Sequence, residues 1–375
     1  MAFIHRILAS KKRIRVNEKQ IRTHLLLFDF FRRPSSSTTT ASSTFSSLIL
    51  PSFYDSTFID NSEYFQIKKI EGKGRGIIAS KNIEANTILF VEKPIVSFRN
   101  LSFHSELLDE YCPNCFHKIS LSSRASSHEY CCKRCKDEAF DQYRKLTDKL
   151  NLDPILEYSA RSERKFVLII VRMIAMSLLS GKNFQKYWYK VNNLCFAGTP
   201  TNNEIPSDWE KEYEMVKKAY MRILGDDSGN KIFKVLNTEW YARLIGTMHL
   251  NMMSIDPDIA IGCSSSILFY NGSLFNHSCH PNVEIGLKSL TNDHDRDVLK
   301  NVRKEIGSND FENDNEEVEG EELRDSNSLG YFKTNRDVKI GEELVITYID
   351  NNKDCVEKKS DLAFAYNILC NECGK

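Results

Sequence analysis

Residues 272–282 read Gly-Ser-Leu-Phe-Asn-His-Ser-Cys-His-Pro-Asn, and this polar stretch is the most specific part of the sequence. It lies between two short apolar runs, at 267–270 and 283–287, which have the composition of β-strands. Each residue taken singly has an ordinary structural explanation, since asparagine forms turns and histidine and cysteine are often buried. The run Asn-His-Ser-Cys-x-Pro-Asn as a whole is a specific signature.

Two further segments, one before and one after this stretch, also have distinctive sequences. Residues 72–77 read Gly-Lys-Gly-Arg-Gly-Ile, in which Gly74 and Gly76 allow positive φ and a close approach of the backbone to a ligand. Alone, this cluster indicates only a turn, and it lacks the third glycine and following helix of the dinucleotide-binding fingerprint. Residues 339–348 read Lys-Ile-Gly-Glu-Glu-Leu-Val-Ile-Thr-Tyr, a turn and an alternating strand that ends in Tyr348.

In this order, the three segments resemble the SET domain of protein-lysine methyltransferases. The cysteine-rich insert after the first strands, followed by helices, is similar to the SET-and-MYND subclass, including its fungal members. The resemblance covers Tyr64 to Lys375. It implies an α+β fold: a β-rich SET domain of small antiparallel sheets with an inserted zinc finger and an inserted helical subdomain. The helical periodicity from Asp153 to about Asn251 agrees with that fold.

The resemblance also implies a binding site for S-adenosylmethionine. The backbone of the glycine-rich segment would cradle this cofactor, and two residues of the polar stretch would hold its adenine and amino-acid ends. Asn251 matches an asparagine that contacts the cofactor in the same subclass. The implied cofactor-binding residues are Lys73, Gly74, Arg75, Gly76, Asn251, Asn276 and His277.

By the same resemblance, Tyr348 matches the catalytic tyrosine of the family, and Tyr366 and Tyr270 would line the channel that admits the target lysine. Methyl transfer from a sulfonium is an in-line displacement, so most of the catalysis is positioning. A narrow apolar channel would disfavour the ammonium form and lower the pKa of the lysine. The Tyr348 hydroxyl could orient the amine and face the polarised methyl group. The chemistry itself needs no metal.

Eleven cysteines, several of them close together, favour metal ligands over disulfides in a chain with no obvious secretory signal. Cys112 and Cys115 form one pair, and by resemblance to the MYND finger Cys131 and Cys135 form the second pair around one tetrahedral zinc. On spacing alone, Cys132 could replace Cys131. The spacing disfavours the alternative that these are merely buried free cysteines.

A full MYND finger holds two zinc ions, whereas this sequence predicts one. The second site lacks its middle cysteine pair, and Tyr143 stands where its histidine is expected. At the C-terminus, the family's post-SET segment usually supplies three cysteines that join the cysteine of the polar stretch. Here Cys279, Cys370 and Cys373 make three ligands of a second zinc site, with Cys355 as a candidate fourth.

Composition and motifs divide the chain into six predicted segments. They are a basic and then Ser/Thr-rich disordered arm (1–60), the N-terminal part of the SET domain (61–104), the degenerate zinc finger (105–150), a helical insert (151–250), the C-terminal catalytic part (251–350, with an acidic loop at 303–328) and a post-SET-like segment (351–375). The composition of the arm also fits a mitochondrial transit peptide. A further alternative is that the start codon is placed too early, so that the arm is not part of the protein. We expect a cytoplasmic and/or nuclear location, with the mitochondrion as the alternative.

Net charge and hydropathy limit the kinds of partner that the protein can have. Lys plus Arg and Asp plus Glu are equal at 51 each, so no global field favours direct binding of nucleic acid. The apolar run 166–179 is too short for a membrane span and predicts a buried helix. The resemblance to the SET family implies a protein-lysine N-methyltransferase that acts on a histone or non-histone protein. The alternative is a catalytically silent SET protein that serves as a zinc-stabilised interaction module.

Overall fold

The structure is a computed structural model. It describes residues 63–99, 111–116, 118–119, 129–162, 164–180, 184–195, 205–258, 263–289, 328–350, 353–366 and 368. The predicted arm, the acidic loop except for Ser328, and the predicted zinc ligands Cys370 and Cys373 lie outside the described residues. The chain divides into two compact units. The first contains Gln142–Trp188 and Gly198–Gly246, and the second contains Ala41–Asp141, Tyr189–Ala197 and Thr247–Lys375.

The second unit holds ten strands in the described part of the chain, arranged in three small sheets. The strands are β1 (Phe65–Ile70), β2 (Gly74–Ala79), β3 (Ile88–Glu92), β4 (Val96–Arg99), β5 (Met252–Asp258), β6 (Cys263–Leu268), β7 (Asn276–His277), β8 (Val283–Ser289), β9 (Ser328–Thr334) and β10 (Glu343–Ile346). The sheet orders are β1-β2-β10-β7, β3-β9-β8 and β4-β6-β5. The pairing of β7 with β10 is parallel, and the other described pairings are antiparallel.

The β1–β2 hairpin forms because glycines occupy its turn. Gly72 and Gly74 have φ values of 74° and 81°, in the left-handed region that side chains with a β-carbon disfavour. The Lys73 N–H donates to the Ile70 carbonyl at 3.1 Å and closes the turn. The register pairs Ile70 with Gly74 and places the glycine-rich segment at the start of β2.

Phenylalanine rings fill the core between the sheets of the second unit. The Phe90 ring stacks on the Phe332 ring at 4.5 Å between centroids and on the Phe275 ring at 5.9 Å. Gly272 must lack a β-carbon here, because that atom would lie 2.4 Å from the Phe332 ring and 2.9 Å from the Phe269 side chain. The packing of these rings against Gly272 therefore fixes the backbone at the start of the polar stretch.

The described helices include the predicted helical insert. They are α1 (Lys133–Ala139), α2 (Lys145–Thr147), α3 (Asp153–Ser162), α4 (Phe166–Leu179), α5 (Phe184–Asn192), α6 (Ser207–Leu224), α7 (Asp226–Phe233), α8 (Thr238–Asn251) and α9 (Cys355–Tyr366). A π-helical turn at Phe140–Arg144 joins α1 to α2, and Gly272–Leu274 form a 3₁₀ turn. The predicted fold class, small antiparallel sheets with helices, is confirmed.

The helical unit packs around α4, whose residues are mostly buried. The Tyr220 hydroxyl donates to the Val171 carbonyl at 2.6 Å and ties α6 to α4. Within the described residues, no helix has both the length and the apolar character needed to cross a membrane. The predicted buried helix over 166–179 is thus observed as α4.

Candidate functional site

The site begins where the polar stretch meets the strand that follows the Gly-Glu-Glu-Leu turn. Strands β7 and β10 pair in parallel, with Asn276 opposite Val345 and His277 opposite Ile346. Asn282 locks this pairing, because its side-chain oxygen accepts the Val345 N–H at 2.8 Å and its amide nitrogen donates to the Glu343 carbonyl at 2.8 Å. Two segments that are distant in sequence therefore lie side by side.

The glycine-rich segment reaches the same place through β2, which pairs with β10. A β-carbon at Gly76 would lie 2.6 Å from the Asn276 amide nitrogen and 2.3 Å from the Ile70 δ-carbon. Such distances are far inside van der Waals contact, so glycine is required for Asn276 to keep its position. The three sequence segments thus converge within one unit.

The Asn276 side chain has a defined orientation. Its amide nitrogen donates to the Arg75 carbonyl at 3.0 Å and to a Glu343 carboxylate oxygen at 2.8 Å. The other Glu343 oxygen lies 2.9 Å from the Lys73 ammonium. Both amide hydrogens of Asn276 are committed to these acceptors, so its amide oxygen is the atom left to accept a hydrogen bond from a ligand.

Asn251 is held in the same way at the end of α8. Its amide nitrogen donates to the Thr247 carbonyl at 2.7 Å and to the Cys195 carbonyl at 2.6 Å. The Arg75 guanidinium donates to the Asn193 carbonyl at 2.8 Å. The sequence analysis did not identify residues 193–195 as part of the site, because they carry no motif and contribute backbone carbonyls.

Tyr348 lies two residues after the end of β10 and is partly buried against the core. Its hydroxyl donates to the Phe275 carbonyl at 2.6 Å, and its backbone N–H donates to His277 Nδ1 at 3.1 Å. Burial is the main cause that raises the pKa of Tyr348 above its usual value, so the side chain remains a neutral phenol near pH 7.

His277 and Tyr366 surround this tyrosine. The Tyr366 ring centroid lies 5.0 Å from that of Tyr348, and the His277 ring centroid lies 5.4 Å away. Because His277 Nδ1 accepts a hydrogen bond, the neutral ring carries its proton on Nε2, which lies 3.4 Å from Cys279 Sγ. Burial also raises the pKa of Tyr366. The structure therefore brings Tyr348, Tyr366 and His277 together.

Tyr270 lies two residues after the end of β6 and is buried. The Lys190 ammonium is 5.9 Å from its ring centroid. The Tyr270 backbone N–H donates to the carboxylate of Glu92, a residue that the sequence analysis missed. The signal that could have found Glu92 is a carboxylate in an otherwise apolar strand, since buried charges need partners.

A second site is a group of four cysteines, which we call the cysteine cluster: Cys112, Cys115, Cys131 and Cys135. Their sulfur atoms all lie within 4.8 Å of one another. Four thiolates at this spacing suit tetrahedral zinc, so the donor set fits the predicted ion. The neighbouring thiols, Cys115 foremost, hydrogen-bond to Cys112 and lower its pKa.

The geometry also bears on the alternatives around this cluster. Cys132 is not part of the cluster, although its sulfur lies 3.8 Å from that of Cys131. Tyr143, which occupies the position expected for a histidine ligand, packs under the Arg172 guanidinium at 4.1 Å from its ring centroid. Of the predicted post-SET ligands, Cys279 is buried among apolar residues, and Cys355 is exposed at the start of α9.

Comparison with known proteins gives consistent matches. A profile of the SET-domain family matches residues 74–349, more than half of the chain. A SET and MYND domain-containing protein from Dictyostelium discoideum is 20% identical over 314 residues, which cover 77% of this chain and 76% of that protein. The histone-lysine N-methyltransferase ATXR4 from Arabidopsis thaliana is 21% identical over 321 residues, which cover 80% of this chain and 82% of that protein.

Two solved structures also align with most of the chain. The SET domain of LSMT bound to lysine and AdoHcy aligns with a TM-score of 0.33 and 13% identity, over 84% of this chain and 57% of that chain. Rubisco LSMT bound to AdoMet aligns with a TM-score of 0.31 and 11% identity, over 84% of this chain and 56% of that chain. The chain spans just over half the length of these two proteins.

Proposed function

The chain belongs to the SET-domain family, and on this premise we propose that it is a protein-lysine N-methyltransferase that uses S-adenosylmethionine. The observation that carries the proposal is the convergence of three distant segments in a single site. β2 brings Gly76 against Asn276, β7 pairs with β10, and the hydroxyl of Tyr348 is bonded to the carbonyl that precedes Asn276.

The residues of this site fit the cofactor in chemistry. S-adenosylmethionine carries an amino-acid end with a donor ammonium and an adenine with hydrogen-bonding edges. The side-chain oxygens of Asn251 and Asn276 are oriented as acceptors, because their amide hydrogens are committed within the protein. Gly76 supplies a backbone without a side chain beside Asn276. Lys73, Gly74, Arg75 and His277 complete the proposed cofactor-binding set.

The chemistry proposed for Tyr348 follows from its hydrogen bonds. When bound, S-adenosylmethionine supplies a sulfonium methyl group, which passes to a neutral lysine amine as the methyl–sulfur bond breaks. The Tyr348 proton is engaged by the Phe275 carbonyl, so the phenol oxygen is free to accept hydrogen bonds or face a polarised methyl group. Its raised pKa keeps it neutral, so it does not attack the methyl group itself.

The proposed channel for the lysine side chain uses Tyr348, Tyr366 and Tyr270. A narrow channel that excludes water would disfavour an ammonium, so the pKa of the target lysine would fall and the amine would lose its proton more easily. The similarity to the Arabidopsis histone-lysine N-methyltransferase ATXR4 supports a protein substrate. We propose that the substrate is a lysine-bearing histone or non-histone protein, bound without nucleic acid.

Two measurements test the proposal. Calorimetric titration of S-adenosylmethionine into the zinc-loaded full chain should give saturable binding in the micromolar range, which Asn276→Ala and His277→Ala weaken. Absence of binding by folded, zinc-loaded protein would contradict the cofactor site. Binding without methyl transfer to any protein lysine would favour the alternative, a silent SET protein that acts as an interaction module.

A further inference from the structure

Glu92 is a fully buried carboxylate at the end of β3, with 3% of its surface exposed. One of its oxygens accepts the N–H groups of Tyr270 at 2.8 Å and Asn271 at 2.9 Å. Its other oxygen accepts the N–H of Gly272 at 2.9 Å. A single side chain thus holds three consecutive backbone donors at the entry to the polar stretch.

Burying a carboxylate in this way costs free energy, so its presence suggests a role in orienting the backbone. Removing a carboxylate from water costs several kcal/mol, which only charge-assisted hydrogen bonds of good geometry offset. Apolar side chains of similar volume are often as stable in such positions, so a buried charge is weak evidence for a role in stability alone. Glu92 supplies an acceptor for three consecutive buried N–H groups that follow the end of β6.

The segment that Glu92 holds is followed closely by the residue that binds the Tyr348 hydroxyl. Gly272 begins the 3₁₀ turn that ends at Leu274, and the next residue, Phe275, provides the carbonyl that accepts the Tyr348 hydroxyl. Both polar atoms of the buried Asn271 amide have no hydrogen-bond partner among the described residues. The backbone bonds to Glu92 therefore fix a residue whose side chain is not itself anchored by a hydrogen bond among the described residues.

We propose that Glu92 is a positioning residue for methyl transfer. It orients the backbone of Tyr270–Gly272, and through it the Tyr270 wall of the lysine channel and the Phe275 carbonyl that anchors Tyr348. The inference rests on the proposed function, because the channel is part of that function. Asn276 is held independently by Arg75 and Glu343, so the cofactor site does not depend on Glu92.

Glu92→Gln separates these roles. Glutamine keeps one oxygen, which can still accept from Tyr270 and Asn271, and turns an N–H donor toward the N–H of Gly272. We expect kcat to fall about tenfold, the Kd for S-adenosylmethionine to stay within about twofold, and amide hydrogen exchange at residues 270–272 to accelerate. Glu212→Gln is the matched control, since Glu212 is an equally buried carboxylate that accepts from the Tyr158 and Tyr241 hydroxyls in the helical unit.

The experiment measures kcat, KM, cofactor Kd and hydrogen exchange for wild type, Glu92→Gln and Glu212→Gln as full chains with zinc. Wild-type kcat and unchanged exchange in Glu92→Gln would overturn the inference, as would loss of cofactor binding in parallel with kcat. If Glu92→Gln does not fold, Glu92→Asp, which keeps both oxygens on a shorter side chain, must show the same selective fall in kcat. A wild-type chain that binds cofactor but transfers no methyl group would instead contradict the proposed function, and hydrogen exchange would still report on Glu92.

Discussion

Tyr348 shows how an ordinary side chain gains a specific chemical character from its surroundings. Its hydroxyl proton is fixed on the Phe275 carbonyl, its backbone N–H is fixed on His277, and burial raises its pKa. A neutral phenol with an oriented oxygen can accept weak hydrogen bonds but cannot act as a nucleophile near pH 7. Positioning is therefore the role that this geometry favours.

The first prediction is that Tyr348→Phe lowers the rate of methyl transfer by about 100-fold, because one oriented oxygen at the reacting centre is lost. The Kd for S-adenosylmethionine should stay within about twofold, since Asn251 and Asn276 are unchanged. The measurement is single-turnover transfer alongside calorimetric binding. Tyr64→Phe, which changes a tyrosine whose ring contacts Lys81, is the control. Full activity in Tyr348→Phe would remove Tyr348 from the mechanism.

Glu343 is a second residue whose role follows from its partners. Its two oxygens separately bind the Asn276 amide and the Lys73 ammonium. In Glu343→Gln, one of these partners must face an N–H donor, and the remaining neutral oxygen is a weaker acceptor for the Asn276 amide than a carboxylate. We predict that cofactor binding weakens by about threefold to tenfold, the modest size reflecting partial exposure of this carboxylate.

Glu342→Gln provides the matched comparison for Glu343. The neighbouring carboxylate of Glu342 binds the Arg336 guanidinium and the Asn282 amide instead of a proposed cofactor residue. Calorimetry on both variants should show weaker cofactor binding in Glu343→Gln only. Equal effects in the two variants would show that Glu343 acts through general stability and not through Asn276.

At the scale of elements, the β1–β2 hairpin assigns different roles to its two central glycines. Gly74 needs its left-handed φ of 81° but has open space around a β-carbon, whereas Gly76 has ordinary φ and no space. The first requirement concerns folding of the turn, and the second concerns contact with Asn276. The sequence alone identified both glycines but could not distinguish these roles, since the distinction depends on β10 and β7.

We predict that Gly76→Ala weakens cofactor binding at least about tenfold, because its methyl group must displace the Asn276 amide. Gly74→Ala should mainly reduce the free energy of unfolding, by about 1–2 kcal/mol, through backbone strain. Calorimetric binding and thermal unfolding of both variants check this contrast. Normal binding by a folded Gly76→Ala protein would show that Asn276 can move without loss of the site.

The cysteine cluster leads to a prediction for the two cysteines that precede α1. Cys131 contributes a sulfur atom to the cluster, and Cys132 does not, although spacing left both open. Cys131→Ser should lower the zinc content by about one ion per chain, and Cys132→Ser should leave it unchanged. Mass spectrometry for metals on purified protein measures both. Loss of zinc only in Cys132→Ser would reverse the assignment.

At the scale of the whole molecule, the sequence predicted the fold class and the organisation around an insert correctly, because short alternating strands and a helical period are local signals. Strand β10 was predicted in this way from its alternation. Its parallel pairing with β7 was not, since β7 has two residues and is defined by partners far along the chain. The partners of Glu92 could not be predicted for the same reason, because they are 178 to 180 positions away.

The candidate site was predictable where a motif carried it and not elsewhere. Asn276, His277 and Tyr348 stand in recognisable segments, and the structure places them together. Asn193 and Cys195 contribute only their backbone carbonyls to the site, and the sequence pattern of side chains cannot predict such contacts. Cys370 and Cys373 stay predictions, since they lie outside the described residues.

The most direct test of the central proposal is transfer of an isotope-labelled methyl group. Zinc-loaded full chain would be incubated with labelled S-adenosylmethionine and core histones or a lysine peptide array, and the products analysed by mass spectrometry. The proposed function predicts label on lysine side-chain nitrogen with wild type and its near absence with Tyr348→Phe. A folded protein that binds the cofactor and labels no lysine, or labels it equally in Tyr348→Phe, would contradict it.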